Sequence, residues 1–323
     1  MVALMTNQQT PMKLGIVIPC YNEEEGLSET TKRLTTLIDK LIAQKSISAE
    51  SFICYIDDGS KDKTWELIAQ FQKESSLFKG IKLSRNFGHQ NALIAGLMQL
   101  KDEADGLISM DADLQDDVEL IETFVEKYQE GYDVVYGVRD DRSKDTKFKR
   151  GTANFFYNFQ NIMGIEAVQN HADYRLLSQK ALHALANFKE INLFLRGIVP
   201  MLGFRSCNVY YQREERFAGE TKYPLKKMLL FALDGIASFS IMPLRFITMI
   251  GFILFMLSLF GIVWVVFEKL FLGNAVQGWS SMMISIYFIG GIQVMALGVI
   301  GEYVGRTFQQ SKKRPRYIIE QEI

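Results

Sequence analysis

The sequence contains few residues of the kinds that bind zinc or form disulfides. Its 323 residues include three cysteines and three histidines, with no CxxC, HExxH or HxH spacing. The cysteines (Cys20, Cys54 and Cys207) are odd in number and far apart, so they provide neither a disulfide framework nor a metal site. Two of them lie in apolar runs, which favours small buried side chains and argues against a zinc enzyme.

Other features are absent as well. Lysine plus arginine (36) nearly balance aspartate plus glutamate (37), so no basic field indicates a nucleic-acid partner. The N-terminal segment MVALMTNQQTPMK lacks the basic and apolar regions of a secretory signal, which predicts that the soluble part stays in the cytoplasm. Neither GxGxxG nor GxxxxGK[ST] is present, which argues against dinucleotide oxidoreductases and P-loop NTPases.

Two long uncharged runs follow about residue 240. The first covers residues 246–267, and the second covers residues 281–301 with Gln293 as its strongly polar member. A helix as long as the first run measures roughly 33 Å, enough to cross a hydrocarbon core. We therefore predict two transmembrane helices within residues 245–305. The alternative is a pair of helices buried in a soluble core, against which length and lack of charge argue.

Basic residues near these runs predict the orientation. Lysines and arginines lie before the first run and after the second, whereas the connecting loop offers only Lys269. The positive-inside rule then places both termini in the cytoplasm, with residues 306–323 as a basic cytoplasmic tail. Residues 226–244 are predicted to form a juxtamembrane helix at the membrane interface. An ordinary soluble helix is the alternative there.

Residues 1–225 alternate short apolar runs with helical patterns. Five runs are predicted strands: KLGIVIPCY, FICYIDDGS, GIKLSRN, DGLISMDADLQ and YDVVYGVR. This alternation predicts an α/β domain with a mixed, mainly parallel, Rossmann-like sheet flanked by helices. Polar residues repeatedly follow the strands, at the edge where ligands bind in open α/β sheets.

Two acids close the fourth predicted strand. Asp111 and Asp113 are separated by one residue, and Gln115 follows. In extended geometry residues i and i+2 face the same way, so we expect both carboxylates to converge on one cation. Carboxylates plus diphosphate oxygens suit Mg²⁺ or Mn²⁺, which would offset the charge on a departing nucleoside diphosphate. The alternative is a solvated acidic loop, because DxD is common by chance.

A second acidic pair, Asp57 and Asp58, closes the second predicted strand. A carboxylate at this position is suited to accept hydrogen bonds from a base N–H or from ribose hydroxyls. The same segment has the pattern of a turn followed by a helix cap, with Ser60 capping the helix around Trp65. The two roles are compatible.

In this order, the segments resemble those of glycosyltransferase family 2, which has the GT-A fold. The likeness extends over nearly the whole chain and is greatest to polyprenyl-phosphate sugar transferases, such as dolichol-phosphate mannose synthase and the two-span bactoprenol glucosyltransferases. The segments that carry it are IPCYNE (18–23), DDGS (57–60), RNFG (85–88), MDADLQ (110–115), HADYRL (171–176) and RFAGETKY (216–223).

The resemblance implies roles for particular residues. Nucleotide-sugar binding is implied for Pro19, Tyr21, Glu23, Asp57, Asp58, Arg85 and Asp111. Metal and diphosphate contact is implied for Asp111, Asp113 and Gln115, and phosphate binding for Arg139, Arg150, Arg213, Arg216 and Lys222. Catalytic roles are implied for Asp113, Asp173, Arg216 and Lys222. For Asp173 three roles stay open: a base, a positioner of metal or acceptor, and an ion-pair partner of Arg175.

Position supports an acceptor site independently of the resemblance. Arg213, Arg216 and Lys222 lie some twenty residues before the first apolar run, within reach of a lipid head group. Arginine binds phosphate through a bidentate fork, and lysine supplies a point charge. The alternative is a solvated basic patch that attracts anionic lipids.

The implied reaction is inverting transfer of a hexose to undecaprenyl or another polyprenyl phosphate at the bacterial plasma membrane, with UDP-glucose as the expected donor. A phosphomonoester is largely dianionic at neutral pH, so a strong general base is less necessary than for an alcohol acceptor. N-acetylglucosamine, galactose and mannose remain open as donor sugars.

A membrane-tethered protein that binds a nucleotide sugar without turnover is the non-enzymatic alternative. Family analogy also favours a homo-oligomer such as a tetramer. The absence of QxxRW argues against a processive polysaccharide synthase.

Overall fold

The computed structural model describes residues 11–139, 171–190, 195–212, 242–271 and 278–323. The chain divides into two compact units. Within the described residues, one unit contains a sheet of eight strands with six helices, and the other contains two long helices.

The first unit has the following elements. Its strands are β1 (Leu14–Cys20), β2 (Phe52–Asp57), β3 (Phe78–Leu83), β4 (Gly106–Ser109), β5 (Val134–Arg139), β6 (His171–Ser178), β7 (Ser206–Tyr211) and β8 (Ile319–Glu322). Its helices are α1 (Leu27–Ala43), α2 (Thr64–Glu74), α3 (His89–Leu100), α4 (Leu120–Gln129), α5 (Gln179–Leu185) and α6 (Leu195–Met201).

The strands are ordered β7-β5-β6-β4-β1-β2-β3-β8. Strands β4, β1, β2 and β3 run parallel to one another, and β5 runs parallel to β7. Strand β6 is antiparallel to both β4 and β5, and β8 is antiparallel to β3. The carboxyl ends of the parallel strands and the amino end of β6 therefore share one edge of the sheet.

The core of this unit forms around β1 and β2, whose residues are all buried. Continuous apolar runs of this kind are typical of parallel strands covered on both faces. Helix α3 packs against β1 and β2 at Gly96, where an added Cβ would lie 2.5 Å from Val17 Cγ1 and 2.8 Å from Ile56 Cδ1. The close approach of helix and sheet thus requires a residue without a side chain at this position.

The prediction of a mixed, mainly parallel sheet is confirmed, and β1 to β5 each overlap one of the five predicted strands. Strand β8 was not predicted, because the C-terminal segment suggested only a basic tail. Its backbone pairs with β3, and Gly80 and Ile323 exchange two N–H to carbonyl hydrogen bonds of 2.9 Å each. Residues Pro315–Ile323 consequently belong to the first unit.

The second unit contains α7 (Met242–Phe271) and α8 (Trp279–Ser311). Both predicted membrane runs therefore lie within helices. Among the described residues, one stretch, Phe288–Ser311, is long and apolar enough to cross a membrane. That stretch begins later than the predicted run of residues 281–301, and the first span stays a prediction. Most of the proposed juxtamembrane helix of residues 226–244 lies outside the described residues.

Candidate active site

The loops that follow β1 and β2 are tied together by hydrogen bonds at the shared edge of the sheet. Asn22 has φ of 56°, and its backbone N–H donates to Ser60 Oγ over 3.0 Å. The Asn22 side-chain oxygen accepts from the backbone N–H of Lys61 over 2.8 Å. Glu23 N–H donates to Thr64 Oγ1 over 2.9 Å. Pro19 is buried near the end of β1, and Tyr21, the first residue after the strand, is exposed.

Ser60 does not cap α2, contrary to one of the sequence-based expectations. Helix α2 begins at Thr64, and the residue at its N-cap position, Lys63, makes no side-chain capping hydrogen bond. Ser60 Oγ instead accepts from Asn22, because the turn that follows β2 brings Ser60 to the β1 loop before the helix begins. The serine therefore joins two loops of the site.

Asp57 and Asp58 are both buried, at 0 % and 2 % exposure. Asp58 accepts the backbone N–H groups of Phe87 and Gly88 over 2.7 and 2.9 Å, so both carboxylate oxygens hold the loop after β3. Asp57 Oδ1 accepts from Ser60 N–H over 3.2 Å, while its buried Oδ2 has no hydrogen-bond partner among the described residues. Burial raises the pKa of both carboxyl groups, and these hydrogen bonds oppose the rise.

The loop after β3 carries Arg85. Its guanidinium carbon lies 4.0 Å from the centre of the Phe87 ring, and its Nη1 donates to the Asn86 carbonyl over 3.1 Å. Gly59 lies directly beneath this loop with φ of +68°, and an added Cβ there would lie 2.5 Å from the Arg85 carbonyl carbon. The β2 and β3 loops therefore pack backbone to backbone.

Asp111 and Asp113 lie beyond the strand, which ends at Ser109, and Asp113 lies in a turn. The expectation of two carboxylates aligned by extended geometry is therefore wrong, because the chain turns at Ala112–Asp113 and Leu114 adopts φ of 54°. The Asp111 side chain is 33 % exposed, and its Oδ1 lies 3.5 Å from His89 Nε2. Asp113 Oδ1 accepts the backbone N–H of Gln115 over 3.3 Å.

The two acids are nevertheless close enough to affect each other. Loss of solvation raises the pKa of Asp111 to about 6; His89 opposes this rise, and the charges of Asp116, Asp173 and Asp113 add to it. A carboxylate surrounded by other carboxylates is stabilised in its ionised form by a nearby cation.

A cavity of about 390 Å³ lies beside Asp113. It is lined by residues 22–26 and 112–114 together with Thr30, Lys61 and Asp62. Five of the lining residues are acids and one is a lysine, so a phosphate group in this cavity would require an added cation. The lining thus has the charge that a divalent cation would balance.

The donor groups fit a hard cation only in part. Among the described residues, no three His, Cys, Asp or Glu side chains converge in the geometry of a metal site. Mg²⁺ is commonly held by one or two carboxylates plus substrate phosphates and waters, without a complete protein cage. Asp111 and Asp113 match that open arrangement in chemical type, with Gln115 adjacent.

Asp173, on β6, lies beside the Asp111 turn because Arg175 pairs with Ser109 across the two strands. Arg175 is 1 % exposed, and its Nη2 forms a short contact with Asp173 Oδ1. Arg196 and His89 approach the same carboxylate, neither of which the sequence had indicated. Although burial opposes ionisation, the charges of Arg175, Arg196 and His89 lower the pKa of Asp173 well below its ordinary value.

Arg139 is the last residue of β5, at the same edge, and its side chain is held by Asp116 and Tyr211. Its Nη2 donates to the buried Asp116 Oδ1 over 2.9 Å, and its Nε donates to the Tyr211 hydroxyl over 3.1 Å. The Tyr211 hydroxyl also forms a short hydrogen bond to Asp116. Despite partial burial, which opposes it, Asp116 raises the pKa of Arg139 above its ordinary value. This network fixes a permanently charged guanidinium at the edge of the site.

The structure thus brings together most of the residues predicted for the site. Those at the shared edge are Pro19, Tyr21, Glu23, Asp57, Asp58, Arg85, Asp111, Asp113, Gln115, Arg139 and Asp173. The remaining four (Arg150, Arg213, Arg216 and Lys222) lie outside the described residues, and their roles stay predictions.

The mixed, mainly parallel sheet flanked by helices is a GT-A fold, and these acids and arginines lie at its carboxyl edge. The chain belongs to glycosyltransferase family 2, whose model, described as "Glycosyl transferase family 2", matches residues 15–186. The implied family is confirmed.

Full-length relatives agree with this assignment. The chain is 52 % identical to an uncharacterised glycosyltransferase, YkoT, of Bacillus subtilis over 97 % of this chain and 93 % of that protein. It is 38 % identical to the bactoprenol glucosyl transferase of Shigella phage SfV over 96 % of this chain and 99 % of the phage protein. Among solved structures, mannosyl-3-phosphoglycerate synthase from Rubrobacter xylanophilus matches 70 % of this chain and 72 % of its own, with 13 % identity and a TM-score of 0.47.

Proposed function

We propose that this chain transfers a hexose from a nucleotide-sugar donor to a polyprenyl phosphate, with inversion at the anomeric carbon. The observation that carries the proposal is the 38 % identity to a bactoprenol glucosyl transferase, which extends over 96 % of this chain and therefore beyond the GT-A unit. By the same likeness, we propose glucose as the sugar and UDP-glucose as the donor.

The second unit supports a membrane location for the acceptor. Large apolar side chains are exposed along both of its helices, including Phe260 (74 %) and Val294 (70 %). Burial of such surface in lipid is favourable, whereas exposure to water is costly. We propose that α7 and α8 both span the bacterial plasma membrane, with the catalytic unit and both termini in the cytoplasm. A homo-oligomer remains an expectation from family analogy.

The chemistry of the acceptor explains the composition of the site. A lipid phosphate is already an anion at neutral pH, so its oxygen attacks the anomeric carbon without first losing a proton to a base. The main tasks are to bring two anions together and to stabilise the departing diphosphate. Asp111 and Asp113 would hold Mg²⁺ or Mn²⁺, and the cation when bound supplies charge to the diphosphate.

The other residues of the site would act on phosphate and nucleotide. We propose that Arg139, whose guanidinium is held by Asp116 and Tyr211, contacts the diphosphate. The buried Oδ2 of Asp57 is suited to accept an N–H from the nucleobase or a ribose hydroxyl. Arg216 and Lys222 are proposed to bind the lipid phosphate, with Arg150 and Arg213 as further phosphate ligands.

A transfer assay with the full-length protein tests the proposal. Purified protein in detergent would be incubated with Mg²⁺ or Mn²⁺, undecaprenyl phosphate and one of four radiolabelled donors: the nucleotide sugars of glucose, N-acetylglucosamine, galactose and mannose. We expect chloroform-soluble label, greatest with UDP-glucose. Undecaprenol, which lacks the phosphate, is the matched control and should accept nothing. A folded protein that yields no lipid-linked label with any donor, but still binds UDP, would instead be a membrane-tethered binding protein.

A further inference from the structure

The carboxylate of Asp173 is surrounded by three nitrogen-bearing side chains. Arg175 contacts Oδ1 from within the protein. Arg196 directs Nη2 toward Oδ2 over 3.4 Å and Nε toward Oδ1 over 3.5 Å. His89 Nε2 lies 3.7 Å from Oδ2. One acid therefore organises two arginines and a histidine at the amino end of β6.

The two arginines differ in their access to solvent. The Arg175 side chain is 1 % exposed and the Asp173 side chain 11 %, so they form a buried ion pair. The Arg196 side chain is 37 % exposed. Such a pair contributes to the stability of the fold, because removal of one partner leaves an uncompensated buried charge. Arg196 is thus the arginine of the cluster that solvent reaches.

The single charge of Asp173 does not balance both arginines. Asp173 carries one negative charge, and Arg175 already contacts it more closely than Arg196 does. Among the described residues, Arg196 has no ion pair with any other acid. A partly exposed guanidinium without a full counter-charge is suited to bind an anion, and its two-pronged contact with Asp173 leaves further N–H groups for that purpose.

The neighbours of Arg196 show which volume it faces. His89 shares Asp173 Oδ2 with Arg196, and the same imidazole nitrogen lies 3.5 Å from Asp111 Oδ1. The His89 side chain is 43 % exposed and that of Asp111 is 33 % exposed. His89 thus links the Asp173–Arg196 pair to Asp111, beside which the proposed reaction brings phosphate groups together.

We infer that Arg196 binds a phosphate group of a substrate, and that Asp173 is a positioning residue that holds the Arg196 guanidinium toward the cleft. The inference rests on the proposed function, in which both substrates carry phosphate. The phosphate belongs either to the nucleoside diphosphate or to the lipid acceptor. Asp173 is not the base of the reaction in this arrangement, because its carboxylate is engaged by two guanidinium groups.

Direct binding to the full-length protein in detergent, without turnover, tests the inference. One arm measures UDP affinity in the presence of Mg²⁺ by calorimetry. The other measures the affinity for a short-chain polyprenyl phosphate against the corresponding polyprenol. We expect Arg196→Ala to weaken one of the two phosphate ligands by about ten- to a hundredfold, as for loss of a charged hydrogen bond. Polyprenol binding should not change.

Two further variants sharpen the experiment. Arg196→Lys keeps a charge without the planar fork, so we expect a smaller loss of affinity than for alanine. Arg196→Lys also provides the binding test if the alanine variant does not fold. Arg205→Ala is the matched control, because Arg205 precedes β7 at the opposite edge of the sheet and stacks on Tyr132. It should bind both ligands like the wild type.

The outcomes separate the sources of the phosphate. A selective loss of UDP affinity assigns Arg196 to the donor, and a selective loss of lipid-phosphate affinity assigns it to the acceptor. Wild-type affinity for both ligands in a folded Arg196→Ala protein would overturn the inference. If the wild type forms no lipid-linked sugar but Arg196→Ala still weakens UDP binding, the proposed function fails while the assignment of Arg196 to phosphate stands.

Discussion

The two acidic strand ends, Asp57–Asp58 at the end of β2 and Asp111–Asp113 after β4, look alike in sequence and differ in structure. Asp58 is buried, and both its oxygens accept backbone N–H groups of the next loop. Asp111 is a third exposed and lies beside other acids. The first pair therefore includes a carboxylate that organises the protein, and the second faces the cleft. Acids after buried strands indicate the edge of a site. Their hydrogen-bond partners in the folded protein decide whether they stabilise a loop or are left to bind a ligand.

The largest effect that this comparison predicts is on turnover. Asp113→Asn should lower the rate of sugar transfer by about a thousandfold, because loss of a metal-binding charge removes several kcal/mol of transition-state stabilisation. The rate would be measured as lipid-linked label under saturating donor. Asp102→Asn is the matched control, since Asp102 is an exposed acid before β4 at the opposite edge. Equal rates for wild type and Asp113→Asn would remove Asp113 from the site.

The second prediction concerns stability at the β2 end. Asp58→Ala leaves the N–H groups of Phe87 and Gly88 without their acceptors, which should cost about 3 kcal/mol of unfolding free energy. For a unit of this size, the thermal unfolding midpoint should fall by roughly 5–10 °C. Asp58→Asn keeps one acceptor oxygen and should lose less. An unchanged midpoint for Asp58→Ala would contradict the organising role.

The third prediction is that Asp111→Asn raises the stability of the protein, whereas Asp58→Ala lowers it. The folded-state pKa of Asp111, about 6, lies above its unfolded value, so its ionisation destabilises the metal-free protein as pH rises. The variant should therefore unfold at a higher temperature than the wild type above about pH 6, and the difference should vanish toward pH 4. Thermal unfolding in EDTA at a series of pH values measures this. A variant that is less stable at pH 7 would show that Asp111 is structural, like Asp58.

Much of the fold was predictable, because β1 to β5 are apolar runs separated by helical patterns. Strand β6 was harder to predict, since its sequence HADYRLLS contains an acid and an arginine that look solvent-exposed. Their mutual ion pair is what permits Arg175 to be buried at 1 % exposure. Strand β8 has the sequence IEQE and lies at the sheet edge, where it is held mainly by backbone pairing with β3. With one apolar residue, it lacks the pattern by which a strand is predicted.

The site was predictable where chemistry is local in sequence. The acids of the β2 and β4 ends stand out because each follows a buried strand directly. His89 and Arg196 did not stand out, because their roles depend on Asp173, which lies far from His89 in the chain and contacts both only after folding. A histidine at the first position of α3, directly after the RNFG segment, was the available indication for His89.

The smallest expected effect is at Ser60, which joins the β1 and β2 loops. Ser60→Ala removes the acceptor for the Asn22 N–H and should lower the unfolding free energy by only about 1 kcal/mol. Because Tyr21 and Glu23 flank Asn22, the donor KM should also rise, by roughly two- to threefold, with little change in kcat. Ser48→Ala removes an equivalent serine-to-backbone bond, to Glu50, at the opposite edge. It should show the same loss of stability without the change in KM, and a shared KM effect would mean that the Asn22 loop does not contact the donor.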